Sequence, residues 1–238
     1  MSAAIPLPRQ VPVFPLPTVV LFPNALLPLR IFESRYRTML KDVLDSHGCI
    51  AMALLKPGWE SQYFQSPDVF PIVGVGRVLD YKAAERGTFN VILLGVHRAE
   101  IDGWVEGGPY RRATVHGVAE EEPPQSEREK LRARLRRIID RLTRNEKGLD
   151  AKSRARIRKA VEEADQLGFL VDSIAYHFLS DPREKQRLLE APNALERERL
   201  LREFLVRHDL VDEPVGDVEY EAPGEKASED ETSEEEGA

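Results

Sequence analysis

The stretch Phe-Pro-Leu-Pro-Thr-Val-Val-Leu-Phe-Pro-Asn-Ala-Leu-Leu-Pro-Leu-Arg-Ile-Phe-Glu-Ser-Arg-Tyr, residues 14–36, decides how the chain is read. Most of it is apolar and extended, but Pro15, Pro17, Pro23 and Pro28 punctuate it, as Pro12 does just upstream. Proline has no amide donor, so these segments are expected to be short strands, bulged or at a sheet edge. At Glu33 the period changes. Tyr36, Met39, Leu40, Val43 and Leu44 fall on one helical face, which predicts a helix over 33–46. Glu33 suits the positive N-terminal end of that helix, and Gly48 is placed to stop it.

Working downstream, strands are expected over 50–55, 69–81, 89–96, 98–105 and 110–118. Val91-Ile92-Leu93-Leu94 is apolar on both faces and predicts a central strand. Gly74 and Gly76 fall on the same face of their strand, permitting a close backbone approach or a sharp bend. Several short strands separated by turn signals suggest a small barrel or a tightly coiled sheet.

The run Glu120-Glu121-Glu122-Pro123-Pro124-Gln125 is a break in composition. Beyond it, Leu131, Leu135, Ile138, Ile139 and Leu142 make one helical stripe. Leu167, Leu170, Val171, Ile174, Ala175 and Phe178 make a second. Two further helices are predicted over 182–190 and 194–208, the latter carrying Leu201, Phe204, Leu205 and His208 inward. Four amphipathic helices with short connections imply a bundle. The expected fold class is α+β: a β-rich unit with one inserted helix over 11–119, a helical bundle over 126–210, and a disordered acidic tail over 211–238.

Hydrophobic residues make up 42% of the 238-residue chain and charged residues 32%, a composition suited to a globular core. No window approaches the roughly 18 apolar residues needed to span a bilayer, and the proline-broken N-terminus lacks the form of a signal peptide. A cytoplasmic protein without membrane association is the expectation. The net charge of -7 is unevenly distributed. Residues 212–238 hold twelve acidic residues and one lysine, whereas residues 128–159 hold fourteen basic and four acidic residues.

Catalytic signatures are missing. The five histidines form neither HExxH nor HxH, and the single cysteine excludes a multi-cysteine metal site. Gly74-Val75-Gly76 lies inside a strand and lacks the third glycine of a dinucleotide site. There is no phosphate-cradling GxxxxGK[ST] loop and no GxSxG elbow. Cys49 and His47, two residues apart at a helix end, read as a buried strand residue and a helix stop rather than a nucleophile pair. Glu33 and Asp172 are the carboxylates nearest apolar settings. Each has an ordinary role, the first at a helix start and the second on a solvated helix face. No cofactor and no metal are expected.

The segment from Phe14-Pro15-Leu16-Pro17 through Val20-Leu21-Phe22-Pro23 to Pro28-Leu29-Arg30-Ile31-Phe32-Glu33-Ser34-Arg35-Tyr36 resembles the opening of the Lon protease N-terminal, substrate-binding domain. Val73 to Val78, Leu94-Gly95-Val96-His97-Arg98 and Pro109-Tyr110-Arg111-Arg112-Ala113 are similar to three of its strands, in order. Asp172-Ser173-Ile174-Ala175 and Glu184 to Glu190 resemble parts of its helical half. The resemblance spans 11–208 and implies a PUA-like small β-barrel followed by a helical bundle. It also implies a role in engaging unfolded or extended polypeptide. Neither the ATPase nor the Ser-Lys peptidase motif of that family is present, so a non-catalytic module is expected, an adaptor in proteolysis or protein quality control working with a protease or chaperone.

Two sets of candidate residues follow. Phe22, Pro23, Pro28, Arg30 and Phe32 either fill the interior or border a groove or open edge where an extended peptide adds as a strand. Arg132, Arg136, Arg137 and Arg141 are candidates to bind an anion or the acidic tail. They also support a rival reading, in which the basic segment 128–159 binds nucleic acid and the tail inhibits it. The absence of Phe, Tyr and Trp from that segment counts against the rival. Glu33, Arg35 and Arg98 are expected to form a charge network between the early helix and the sheet. The oligomeric state is left open.

Overall fold

The computed structural model describes residues 5–62, 66–119, 123–145, 155, 159, 161, 164 and 166–211. Six strands form one mixed sheet: β1 (Gln10–Leu16), β2 (Leu26–Ile31), β3 (Cys49–Leu54), β4 (Ile72–Ala83), β5 (Phe89–Val105) and β6 (Arg112–Gly117). The order is β2-β5-β4-β3-β1-β6, and β6 pairs again with β5. Only β1 and β3 run parallel; the other pairs are antiparallel. The sheet therefore coils until it meets itself, but it is not a regular barrel. One 17-residue strand, β5, serves twice, pairing with β2 and β4 along its first part and with β6 along its second.

That strand corrects the expectation of two strands broken near residue 97. Register shifts, one against β4 between Val75 and Gly76 and one against β6 between Ile101 and Gly103, let a single strand turn the corner. Val91 to Leu94 is central in its pairing, yet it is not buried on both faces. Ile92 is 36% exposed beside Pro28 of β2, because no described helix covers the outer face of this three-stranded arm at that position. The strand that is buried throughout is β3.

Alternation along the strands divides the apolar residues into two sets. Val11, Val13, Ala51, Ala53, Val73, Val75, Ala99, Ala113 and Val115 form one cluster, drawn from all five strands of the ring. Valine and alanine dominate this interior, and Cys49, Leu55 and Val69 complete it. The opposite faces present Phe14, Ile50, Met52 and Leu54 to a larger core. The segment 20–23 crosses the sheet there. A β-carbon on Gly74 would stand 1.8 Å from the Leu21 carbonyl oxygen, and one on Gly76 would stand 2.7 Å from Leu21 Cδ2. The paired glycines thus permit the close approach expected of them.

Helix α1 (Ser34–Leu44) buries Tyr36, Met39, Leu40 and Val43 in that same core and ends where Gly48, at φ 73°, donates its amide to the Val43 carbonyl. Four more described helices follow: α2 (Gln125–Asn145), α3 (Leu167–Phe178), α4 (Pro182–Glu190) and α5 (Ala194–Arg207). Asp181 caps α4, accepting from the Arg183 amide ahead of Pro182, and Asn193 caps α5, accepting from the Glu196 amide. Leu131, Leu135 and Ile138 of α2 join Val171 and Ala175 of α3 and Phe204 and Leu205 of α5 in the core shared with the sheet. The break at 120–125 marks a change of secondary structure, and the hydrophobic interior continues across it.

Three polar expectations are corrected. Asp172 is not on a solvated face; it is 1% exposed and paired at 2.9 Å with Arg197, itself fully buried. His208 is not inward but half-exposed at the end of α5, its ring nitrogen 2.7 Å from Glu184. Glu33 and Arg35 do pair, at 2.9 Å, but Arg98 leaves that network. Buried on β5, it donates to the carbonyls of Leu189 and Ala191 at the C-terminal end of α4, where unsatisfied helix carbonyls attract a cation. Gln186 adds a second tie, donating to the Ile72 carbonyl of β4 at 2.9 Å. The acidic tail beyond Val211 and much of 146–165 lie outside the described residues.

Candidate functional site

A concavity of about 780 Å³ opens where the end of β1, the start of α1 and the hairpin joining β5 to β6 converge. Pro15 and Pro17 form one rim, placed there because β1 ends against β3 with Leu16 opposite Leu54. Tyr36 enters from the first turn of α1, its ring 4.2 Å from that of Phe14 and covered by the Arg35 guanidinium at 4.6 Å. Gly107 and Gly108, both near φ 90°, turn the hairpin so that Trp104, Pro109 and Tyr110 face the same cavity. Trp59 lines it too, so both tryptophans of the chain are here.

These aromatic groups are held in place. The Arg111 guanidinium lies 3.7 Å over the Trp104 ring and donates to the Pro67 carbonyl at 2.7 Å. Burial pulls Arg111 below its ordinary value, while Tyr36 and Asp68 oppose that fall. The Tyr110 hydroxyl donates to Asp42 Oδ2 at 2.7 Å; burial first, then that hydrogen bond, pushes its pKa up to about 12. Glu33, Asp68 and Glu106 balance Arg35, Arg111 and Arg112 around the wall.

The described lining contains no histidine, cysteine or lysine that could activate a nucleophile such as Ser66. Cys49 and His47 lie elsewhere. The Cys49 amide donates to His47 Nδ1 at 3.0 Å, and burial raises the thiol pKa and lowers that of the imidazole. Among the described residues no group of three or more His, Cys, Asp or Glu is arranged for a metal ion. The cavity presents flat aromatic faces, proline rings and fixed charges.

Glu33 and Arg35 of the expected charge network line this cavity, but the candidate peptide-binding and anion-binding residues do not converge on it. Phe22 is fully buried in the core, where its carbonyl faces Gly95. Pro23 borders a small recess of about 210 Å³ between the start of β2 and α3, where the Tyr176 hydroxyl donates to the Leu26 carbonyl. Pro28 and Arg30 border a shallow depression of about 460 Å³ on the outer face of β2, β5 and β4. Phe32 is 64% exposed between β2 and α1. On α2, Arg132 donates to the carbonyls of Val161 and Ala164, Arg136 is exposed, and Arg137 and Arg141 are half-buried. The signal that locates the principal cavity was available: two tryptophans, and a Pro-Tyr-Arg-Arg run after Gly-Gly. What connects them is the closure of β6 on β5.

A six-stranded coiled sheet with one early helix, sharing its core with a helical half, defines an α+β domain. Residues 10–207 match the family described as the ATP-dependent protease La (LON) substrate-binding domain, and the chain belongs to that family. It is 26% identical over 190 residues to a Lon protease of Desulfosudis oleivorans, covering 77% of this chain and 22% of that protein. It is 27% identical over 202 residues to a Lon protease of Syntrophomonas wolfei, covering 84% of this chain and 24% of that one. The chain thus spans roughly a quarter of the length of these curated relatives. In fold, it is similar to the N-terminal domain of the Mycobacterium avium complex Lon protease, with a TM-score of 0.65, 20% identity, and coverage of 84% of this chain and 99% of that one. It is also similar to a Lon N-terminal domain protein from Xanthomonas campestris, with a TM-score of 0.55, 19% identity, and coverage of 83% and 97%.

Proposed function

We propose that this chain is a non-catalytic module that binds unfolded or extended polypeptide in the cavity between β1, α1 and the β5–β6 hairpin. In this reading it works as a cytoplasmic adaptor in proteolysis or protein quality control. The observation that carries the reading is the convergence of both tryptophans, Tyr36, Tyr110 and a set of prolines on one open cavity with balanced charge. Rigid aromatic faces offer large contact area at low entropic cost, which suits ligands of varied sequence. The open edge of β2, with Pro28 and Arg30, is a second surface such a chain can reach, and Pro28 limits how many strand hydrogen bonds form there.

The rival reading, nucleic-acid binding by the basic segment, has less support. Arg132 holds two carbonyl groups and Arg134 pairs with the buried carboxylate of Glu198 at 3.1 Å, so part of the basic face serves the fold.

The test uses the two tryptophans as reporters. Titrating the full chain with a reduced, carboxymethylated and therefore permanently unfolded protein is expected to shift the tryptophan emission, with little dependence on salt. Absence of binding at low and moderate salt would remove the proposal. Steeply salt-dependent binding to single-stranded RNA, with none to unfolded protein, would favour the rival.

A further inference from the structure

We infer that the cavity selects uncharged, proline-containing segments in the polyproline II conformation and does not add a strand to the sheet; this rests on the peptide-binding reading above. A strand joins a sheet through alternating backbone donors and acceptors. The rim of this cavity is deficient in both. Pro15, Pro17, Pro67 and Pro109 offer no amide hydrogen at four positions. Among the acceptors, the Leu16 carbonyl already receives the Leu55 amide, and the Pro67 carbonyl already receives Arg111. β1 pairs with β6 only over Gln10–Pro12, so its end at the cavity is paired with β3 alone, and Pro15 and Pro17 remove there the amides an added strand would need.

What the cavity does present fits a ligand whose backbone needs few partners. Polyproline II has no internal hydrogen bonds, three residues per turn, and pyrrolidine rings that lie flat on aromatic faces. Trp104 is 46% exposed, with its ring orientation fixed by Arg111. Arg112 donates to the Glu106 and Gly107 carbonyls only at 3.4 and 3.5 Å, near the limit of a hydrogen bond, so a ligand carbonyl can displace them. Charge balance sets the rest of the preference. Arg35 is matched by Glu33 at 2.9 Å, and three cations face three carboxylates, so neither an acidic nor a basic segment meets an excess of opposite charge. Trp104 is the stacking platform and Arg112 the carbonyl donor.

The experiment is a competition on the full chain. A fluorescent peptide of alternating proline and leucine, roughly nine residues or three turns long, is titrated by anisotropy. It is then used to displace the unfolded carboxymethylated protein. The expected result is displacement, with affinity weakened about tenfold by Trp104→Ala and about fivefold by Arg112→Gln. Circular dichroism checks that each variant is folded, and Arg112→Gln, at a half-buried position at the start of β6, carries the test if Trp104→Ala is not. If the unfolded protein binds but the proline peptide fails to displace it, the inference falls and the peptide-binding reading stands. A valine-threonine peptide, or an acidic or basic one, that displaces better than the proline peptide also overturns the inference. If neither probe binds, both fall.

Discussion

The carbonyl oxygen of Phe22 lies 2.0 Å from where a β-carbon on Gly95 would stand, so the 20–23 segment crosses the sheet at a place only glycine leaves open. The contact is reinforced on both sides, since the Asn24 amide donates to the Gly95 carbonyl and the Gly95 amide to the Ala25 carbonyl. A backbone atom cannot swing aside as a side chain does. Gly95→Ala, and Gly74→Ala beside Leu21, are therefore expected to cost at least about 2 kcal/mol each. Gly103→Ala, whose β-carbon would meet Thr114 Oγ1 at 3.6 Å, is the mild control. Urea denaturation of the three variants checks the order.

Arg197 and Asp172 form an ion pair inside the helical half, neither more than 1% exposed. Removing one partner takes the ion pair away from a buried charge. Asp172→Leu or Arg197→Met should each destabilise by about 3–5 kcal/mol, and the two together should cost clearly less than the sum. Strict additivity in a double-mutant cycle would show that the two do not act as a pair.

Arg98 ties the sheet to the last turn of α4 through the Leu189 and Ala191 carbonyls. Arg98→Met is expected to lose about 1.5–3 kcal/mol. Hydrogen exchange should show the loss first in α4 and β5, before the remainder of the ring opens.

Cys49 is 1% exposed, and burial raises its thiol pKa, with Arg77 pulling the other way. A thiol reagent such as Ellman's compound should react negligibly with the native chain at neutral pH and fully in denaturant. Rapid native labelling would contradict the buried position.

Tyr110 titrates near 12 because burial and its hydrogen bond to Asp42 favour the neutral phenol. The folded value is raised above that of the unfolded chain. Its contribution to stability is therefore whole below the ordinary phenol range and is lost as pH climbs from there through about 12. Ultraviolet titration of wild type and Tyr110→Phe should show one late-ionising tyrosine disappear in the variant.

Helix α1 was legible from its apolar stripe alone, and so were the extents of α4 and α5, because local spacing determines them. The paired glycines in β4 announced a close approach. Their partner, the Leu21 backbone, was not visible, because it arrives from about fifty residues away. Likewise, nothing in the local pattern of Arg98 distinguishes a salt bridge to Glu33 from a bond to the end of a helix nearly a hundred residues downstream. Phe22 illustrates the converse: a distinctive aromatic in a distinctive motif, and it is core.

The sequence by itself determined the α+β class, the change from strands to helices near 120–125, and, through the motif around residues 14–36, the family to which the chain belongs. Those properties follow from periodicity, proline placement and the order of short motifs, all of which are local. Tertiary structure alone decided that β5 pairs twice, that one hydrophobic interior spans both halves, and that Trp59, Trp104, Tyr36 and Tyr110 face one cavity. The physical reason is chain closure. A coiled sheet brings the ends of β1 and β5 beside the start of α1, and the residues that meet there share no spacing in the sequence.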